Sequence, residues 1–188
     1  MRIVVFDIET ANWMSEGGFD GLQIAVVGIH DSETNQYSCY LENELPELWK
    51  ILERTDVLVG YNSDHFDIPL LNKYYHGDIT RIRSLDIMNE VYKSLGRRLK
   101  LDSIAQGTLG EGKSGDGLQS LKWWRQGEVE KVKSYCRKDV ELTKRVFDHA
   151  LQNRSLKYRD LGSTREVKLD TSKWLMGHAK PMTFTLGF

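Results

Sequence analysis

The spacing of apolar and polar residues changes character several times along this chain, and each change marks an element. Met1-Arg-Ile-Val-Val-Phe-Asp-Ile-Glu-Thr10 is an apolar run that closes in two carboxylates, and residues 22–29 and 35–41 are further strand-like runs. The polar link Asp31-Ser-Glu-Thr34 suits a hairpin, so the three runs predict an antiparallel meander. Over residues 43–53 the period becomes helical, with Leu45, Leu48, Trp49 and Leu52 on one face and Asn43 placed to cap the first turn. Residues 56–60 read as a short strand and 68–75 as a helix that tolerates Pro69 near its start. Strand, helix, strand, helix implies parallel pairing in this stretch.

Shorter helices are predicted around residues 86–95 and 101–106, then a Gly-rich loop over 107–117 and a long helix from about 128 to 152. Val132, Cys136, Val140 and Phe147 form the apolar stripe of that helix. Farther on, 157–161 and 166–169 flank Gly162-Ser-Thr164 and suit a hairpin, whereas 171–188 predicts no element. The expected fold is α/β, a mixed sheet of meander plus parallel strands flanked by helices, with one domain over 1–153 and a C-terminal extension over 154–188.

Composition narrows the class. A chain of 188 residues, 40% of them hydrophobic, fills the core of one domain. No apolar run approaches bilayer length and the first residues enter a strand rather than a signal peptide, so a soluble cytoplasmic protein with no membrane partner is expected. Cys39 and Cys136 stand far apart without a Cys-x-x-Cys pattern, which points to buried thiols rather than a zinc site or disulfide scaffold. The net charge of −1 hides an asymmetry: residues 1–80 hold four Lys/Arg and fourteen Asp/Glu, residues 81–159 eighteen and ten. An enzyme that grips cations with carboxylates and a polyanion with Lys/Arg needs both halves, although solvated helix faces also carry basic residues.

Asp7 and Glu9, one residue apart on a strand, project to the same side roughly 6.5–7 Å apart while Phe6 and Ile8 face a core. Such a pair is either a solvated strand end or a seat for a hard divalent cation. Asp67 opens a predicted helix and serves equally as a cap. Tyr135 and Asp139, four apart, share one face of the long helix.

Together these segments resemble the DEDD superfamily of 3′ to 5′ exonucleases, which has a ribonuclease H-like fold. The Asp-x-Glu motif is matched by Asp7-Ile-Glu9-Thr10, the Asn-x-x-x-Phe-Asp motif by Asn62 through Phe66-Asp67, and Tyr-x-x-x-Asp by Tyr135 and Asp139. The last spacing marks the tyrosine subclass, since the histidine subclass carries His where this chain has Ser134. The resemblance covers about residues 1–152. It implies that Asp7, Glu9, Asp67 and Asp139 hold two Mg²⁺ or Mn²⁺ ions, one activating a water and one, bridged by Asp7, stabilising the leaving 3′ oxygen. Tyr135 would orient that water, being a phenol largely protonated at neutral pH. Thr10, Asn62 and Phe66 are implied substrate contacts, with core packing an equal explanation for Phe66.

The implied partners are the 3′ end of a nucleic acid, single-stranded DNA ahead of RNA, and a polymerase, helicase or other replication or repair protein. No motif settles the sugar or the oligomeric state. Trp123-Trp124 between Lys122 and Arg125 suggests an aromatic, basic surface with at least one indole in the core. Asp64 and His65 read as loop residues and Asp86 as a helix cap. Two other patterns compete with this one. Gly107-Thr-Leu-Gly-Glu-Gly-Lys-Ser114 satisfies the P-loop pattern but lacks a preceding strand. A non-catalytic nucleic-acid-binding module would not need all four carboxylates and the tyrosine.

Overall fold

The computed structural model describes residues 1–112 and 117–176. Five strands form one sheet: β1 (Ile3–Thr10), β2 (Ile24–Asp31), β3 (Gln36–Leu41), β4 (Val57–Gly60) and β5 (Arg83–Asp86), in the order β3-β2-β1-β4-β5. β1, β2 and β3 are the predicted antiparallel meander, and β4 and β5 add in parallel. The mixed sheet is flanked by α1 (Leu45–Leu52), α2 (Asp67–Asn72), α3 (Ile87–Leu95), α4 (Leu101–Leu109), α5 (Gly117–Arg125) and the long α6 (Val129–Asn153).

The pleat sorts β1 between two layers. Val4, Phe6 and Ile8 join Leu48, Leu52, Leu70 and Leu71 of α1 and α2 on one face, while Val5 joins Ile104, Val140, Val146 and Phe147 of α4 and α6 on the other. Asp7 follows Val5 in phase and therefore lies on the α6 side. A hairpin of β6 (Ser155–Asp160) and β7 (Ser163–Lys168) closes the α6 layer, contributing Leu156, Tyr158 and Val167 to the same core.

Several expectations shift. Asn43 does not cap α1: it lies in a 3-10 turn, Glu42–Glu44, and Glu44 instead accepts from the Leu41 amide through Oε2 at 2.8 Å. β5 escapes prediction because its four residues, Arg-Ser-Leu-Asp, carry one apolar side chain. α5 starts at the last residue read as loop and runs to Arg125 through a stretch for which no element was predicted, and α4 runs to Leu109, so Gly107 is helical and follows helix rather than strand. That geometry is not a P-loop's. Lys113 and Ser114 of the pattern, and 177–188, lie outside the described residues. Among the described residues no helix is long and apolar enough to cross a membrane.

Candidate metal centre and active-site cleft

Parallel pairing puts the C-terminal ends of β1, β4 and β5 side by side, with Gly60 opposite Asp86. Ligand sites on α/β sheets form beyond such ends. Asp7 and Glu9 occupy this end of β1, whose register shifts between Glu9 and Thr10, a bulge that ends regular pairing where the acidic residues stand. α6 delivers the third carboxylate, Asp139. One oxygen from each of Asp7, Glu9 and Asp139 lies within 4.8 Å of the others, the sole such acidic or metal-ligating group found among the described residues.

A glycine makes that approach feasible. Gly28 of β2 pairs with Asp7, and a Cβ there would stand 2.8 Å from Cys136 Sγ and 3.1 Å from Val140 Cγ2. α6 thus rides directly on the backbone beside Asp7, and the Cys136 thiol donates to the Asp7 carbonyl at 3.4 Å. Burial first, and then the nearby Asp7 and Glu9 charges, push the Cys136 thiol well up, so it is an inert spacer.

Asp67 stands close by but outside the mutual contact of the other three. It is the first residue of α2, reached by a loop that a single side chain organises: Asp86 accepts from the amides of Asn62 (2.8 Å), Asp64 (3.2 Å) and Met88 (2.9 Å). Asp86 is therefore both the helix cap expected and the anchor of the Asn62–Asp67 loop. Burial pushes the Asp67 carboxyl up to about 8; backbone hydrogen bonds at Asp67 and Ile8 oppose this, and the charges of Glu9 and Asp86 add to it. Glu9 is 8%, Asp67 7% and Asp139 2% exposed. Buried carboxylates in this number need protons or cations, and an all-oxygen donor set suits a hard divalent ion. The residues therefore fit such a metal.

The remaining predicted contacts divide. Tyr135 is buried beside Asp139 on α6, with Trp123 of α5 edge-on to its ring at 6.2 Å between centroids. Both Trp123 and Trp124 are half-buried against the Ala25, Val26 and Cys136 cluster, so both serve packing. Asn62 has φ +64°, a left-handed conformation that Asn tolerates better than most residues, and this alone favours Asn there. Phe66 packs edge-on against Phe19 at 6.1 Å. Thr10 donates through Oγ1 to the Asn12 carbonyl at 3.1 Å. Gly28 and Asp86 carry the geometry without having been singled out for it; a Gly inside an otherwise β-branched run was the available signal for the first.

A family model described as the RNase H superfamily matches residues 4–151. Among solved structures, a family B DNA polymerase from the hyperthermophilic archaeon Pyrobaculum calidifontis matches with a TM-score of 0.62 at 17% identity, over 80% of this chain and 24% of that one. The chain thus spans about a quarter of that polymerase's length, and the likeness is one of fold. No curated protein sequence matches.

Proposed function

We propose, from the premise that the chain belongs to the RNase H superfamily, that it is a metal-dependent 3′ to 5′ exonuclease of the tyrosine subclass. The observation that supports this most is the convergence of Asp7, Glu9 and Asp139 from a strand and a helix 130 residues apart in sequence order, with buried Asp67 alongside. In this reading Asp7, Glu9, Asp67 and Asp139 hold two Mg²⁺ or Mn²⁺ ions. Bound there, the cations supply Lewis-acid stabilisation of the attacking and leaving oxygens of an in-line displacement.

The chain's own groups position everything else. Tyr135, held by Trp123, directs its hydroxyl at the attacking water beside Asp139. Thr10 and Asn62 hydrogen-bond the terminal nucleotide and Phe66 lies against its base. Attack on the last phosphodiester breaks the bond to the penultimate 3′ oxygen and releases a nucleoside 5′-monophosphate. The substrate is a single-stranded 3′ end; the DNA polymerase among the structural neighbours is the reason for placing DNA ahead of RNA, and it makes a replication or repair assembly the natural setting. The deciding experiment is incubation of single-stranded oligonucleotides with the protein in Mn²⁺, in Mg²⁺ and in chelator, with products identified by mass. Nucleoside 5′-monophosphates formed only with metal support the reading; 3′-monophosphates, or turnover in chelator, defeat it.

A further inference from the structure

We propose that the groove between the outer strand β3 and the N-terminal half of α6 is the track for the sugar–phosphate backbone upstream of the scissile bond, an inference that rests on the exonuclease reading above. Two clefts flank this half of α6. One, about 130 Å³, is lined by Trp123, Lys131, Ser134, Tyr135 and Lys138 and lies beside the catalytic tyrosine. The other, about 380 Å³, is lined by Tyr37, Ser38, Cys39, Glu130, Lys133, Ser134 and Arg137. Exposed Ser134 belongs to both, so a small side chain forms a low saddle joining the candidate active site to the larger groove.

The larger groove has the chemistry of a phosphate track. Three consecutive residues of β3 line it, so the groove runs along the edge of the sheet, where one row of backbone groups faces outward. Arg137 lies over the Tyr37 ring, its guanidinium carbon 5.4 Å from the centroid, and is tied to Glu141 only through Nε at 2.9 Å. A guanidinium held through Nε keeps its two terminal nitrogens as a planar fork, the group that takes phosphate oxygens in pairs. Half-buried Lys133 stands 3.6 Å from exposed Glu130, and exposed Lys131 2.9 Å from Glu128, one-turn pairs open to solvent and weak enough to exchange for phosphate, and Lys138 makes no ion pair among the described residues. Each cleft thus carries two cations, Lys131 and Lys138 in the smaller and Lys133 and Arg137 in the larger. The walls offer no flat aromatic platform in the larger groove, because Tyr37 is covered by Arg137 and His30, so contact there is with the backbone and indifferent to sequence.

The test measures fluorescence anisotropy of a labelled single-stranded oligodeoxythymidylate of about twelve nucleotides. It is done in the Asp139→Asn background with Mg²⁺ present, across a salt series. Lys133→Glu/Arg137→Glu should weaken binding on the order of tenfold or more and reduce the log–log salt slope by about 1.4, the share of two phosphates on a single strand. Ser134→Trp, which blocks the saddle without changing charge, should weaken the same oligonucleotide but not a dinucleotide. Lys93→Glu/Arg98→Glu, an equal charge change beyond the opposite edge of the sheet, is the control. Losses no larger than the control's, or an unchanged slope, overturn the track even where the unmodified chain degrades the oligonucleotide from its 3′ end. A chain that binds through the track yet yields no 5′-monophosphates in Mn²⁺ would instead overturn the exonuclease reading.

Discussion

Asp139 is the residue on which the proposed chemistry turns, because it alone brings α6 into the carboxylate cluster. Asp139→Asn should lower metal-dependent turnover by more than the roughly 10- to 100-fold that loss of an outer partner of a metal site costs. Its metal-free form should melt above that of the unmodified chain, since one of three crowded carboxylates is gone. A lower melting temperature measured by scanning fluorimetry would mean that Asp139 is structural. Asp67 gives a pH signature. Its folded pKa is raised to about 8 from an unfolded value near 3.9, so the folded chain keeps a proton that the unfolded chain has lost. Stability from this group is complete below about pH 4 and is lost as pH rises through about 8. Asp86, also raised mainly by burial, acts in the same direction. In chelator the protein should therefore melt lower at about pH 8.5 than at pH 6, Asp67→Asn should flatten that slope, and Mn²⁺ should raise the melting temperature more at the higher pH. Spacing alone made legible that Asp7 and Glu9 share one face of a strand and Tyr135 and Asp139 one face of a helix; that Asp139 meets the strand pair, as it does, was implied only by the family resemblance. The outlying position of Asp67 was not, for it depends on a loop that Asp86 shapes from 19 residues downstream.

Among the elements, the crossing of α6 over β2 is the joint that makes the site. Gly28→Ala places a methyl 2.8 Å from Cys136 Sγ, so α6 must lift or the thiol must turn. The substitution should cost about 1–3 kcal/mol and weaken metal binding together. Gly28→Ala/Cys136→Ala, which removes the clashing sulfur, should recover much of both. Equal loss in the single and double variants, by calorimetric titration with Mn²⁺, would show that the crossing distance is not what Gly28 sets. The meander, α1 and α6 were predictable because each has a strong period of its own. β5 and α5 were not: one carries a single apolar residue in four, and the other follows a glycine-rich stretch and is held in place by half-buried Trp123 and Trp124 rather than by local pattern.

For the molecule as a whole, the C-terminal hairpin belongs to the core that seats α6. Leu156, Tyr158, Val167, Leu169 and Trp174 are buried with Val146 and Phe147, and Trp174 stacks on Phe147 at 6.0 Å. A Cβ on Gly107 of α4 would meet the Tyr158 backbone at 2.4 Å, so helix and hairpin are in backbone contact. Truncation after Asn153 strips five buried side chains worth roughly 2 kcal/mol each, a sum comparable with the stability of a small domain. The truncated chain should show no cooperative melt, whereas retention of one would mark 154–188 as a dispensable extension. The acidic N-terminal half and the basic stretch that follows meet at α6, where Asp139 lies inward, Lys131, Arg137 and Lys138 are exposed and Lys133 is half-buried. The proposed removal of nucleotides from a 3′ end at this junction, with metal, is checked by a time course on one single-stranded oligonucleotide labelled at either end, with Mn²⁺ and with chelator. The 5′-labelled strand should shorten through a ladder while the 3′-labelled strand yields labelled mononucleotide at once, both only with metal. Early release of the 5′ label, or cleavage that chelator leaves untouched, would contradict the account.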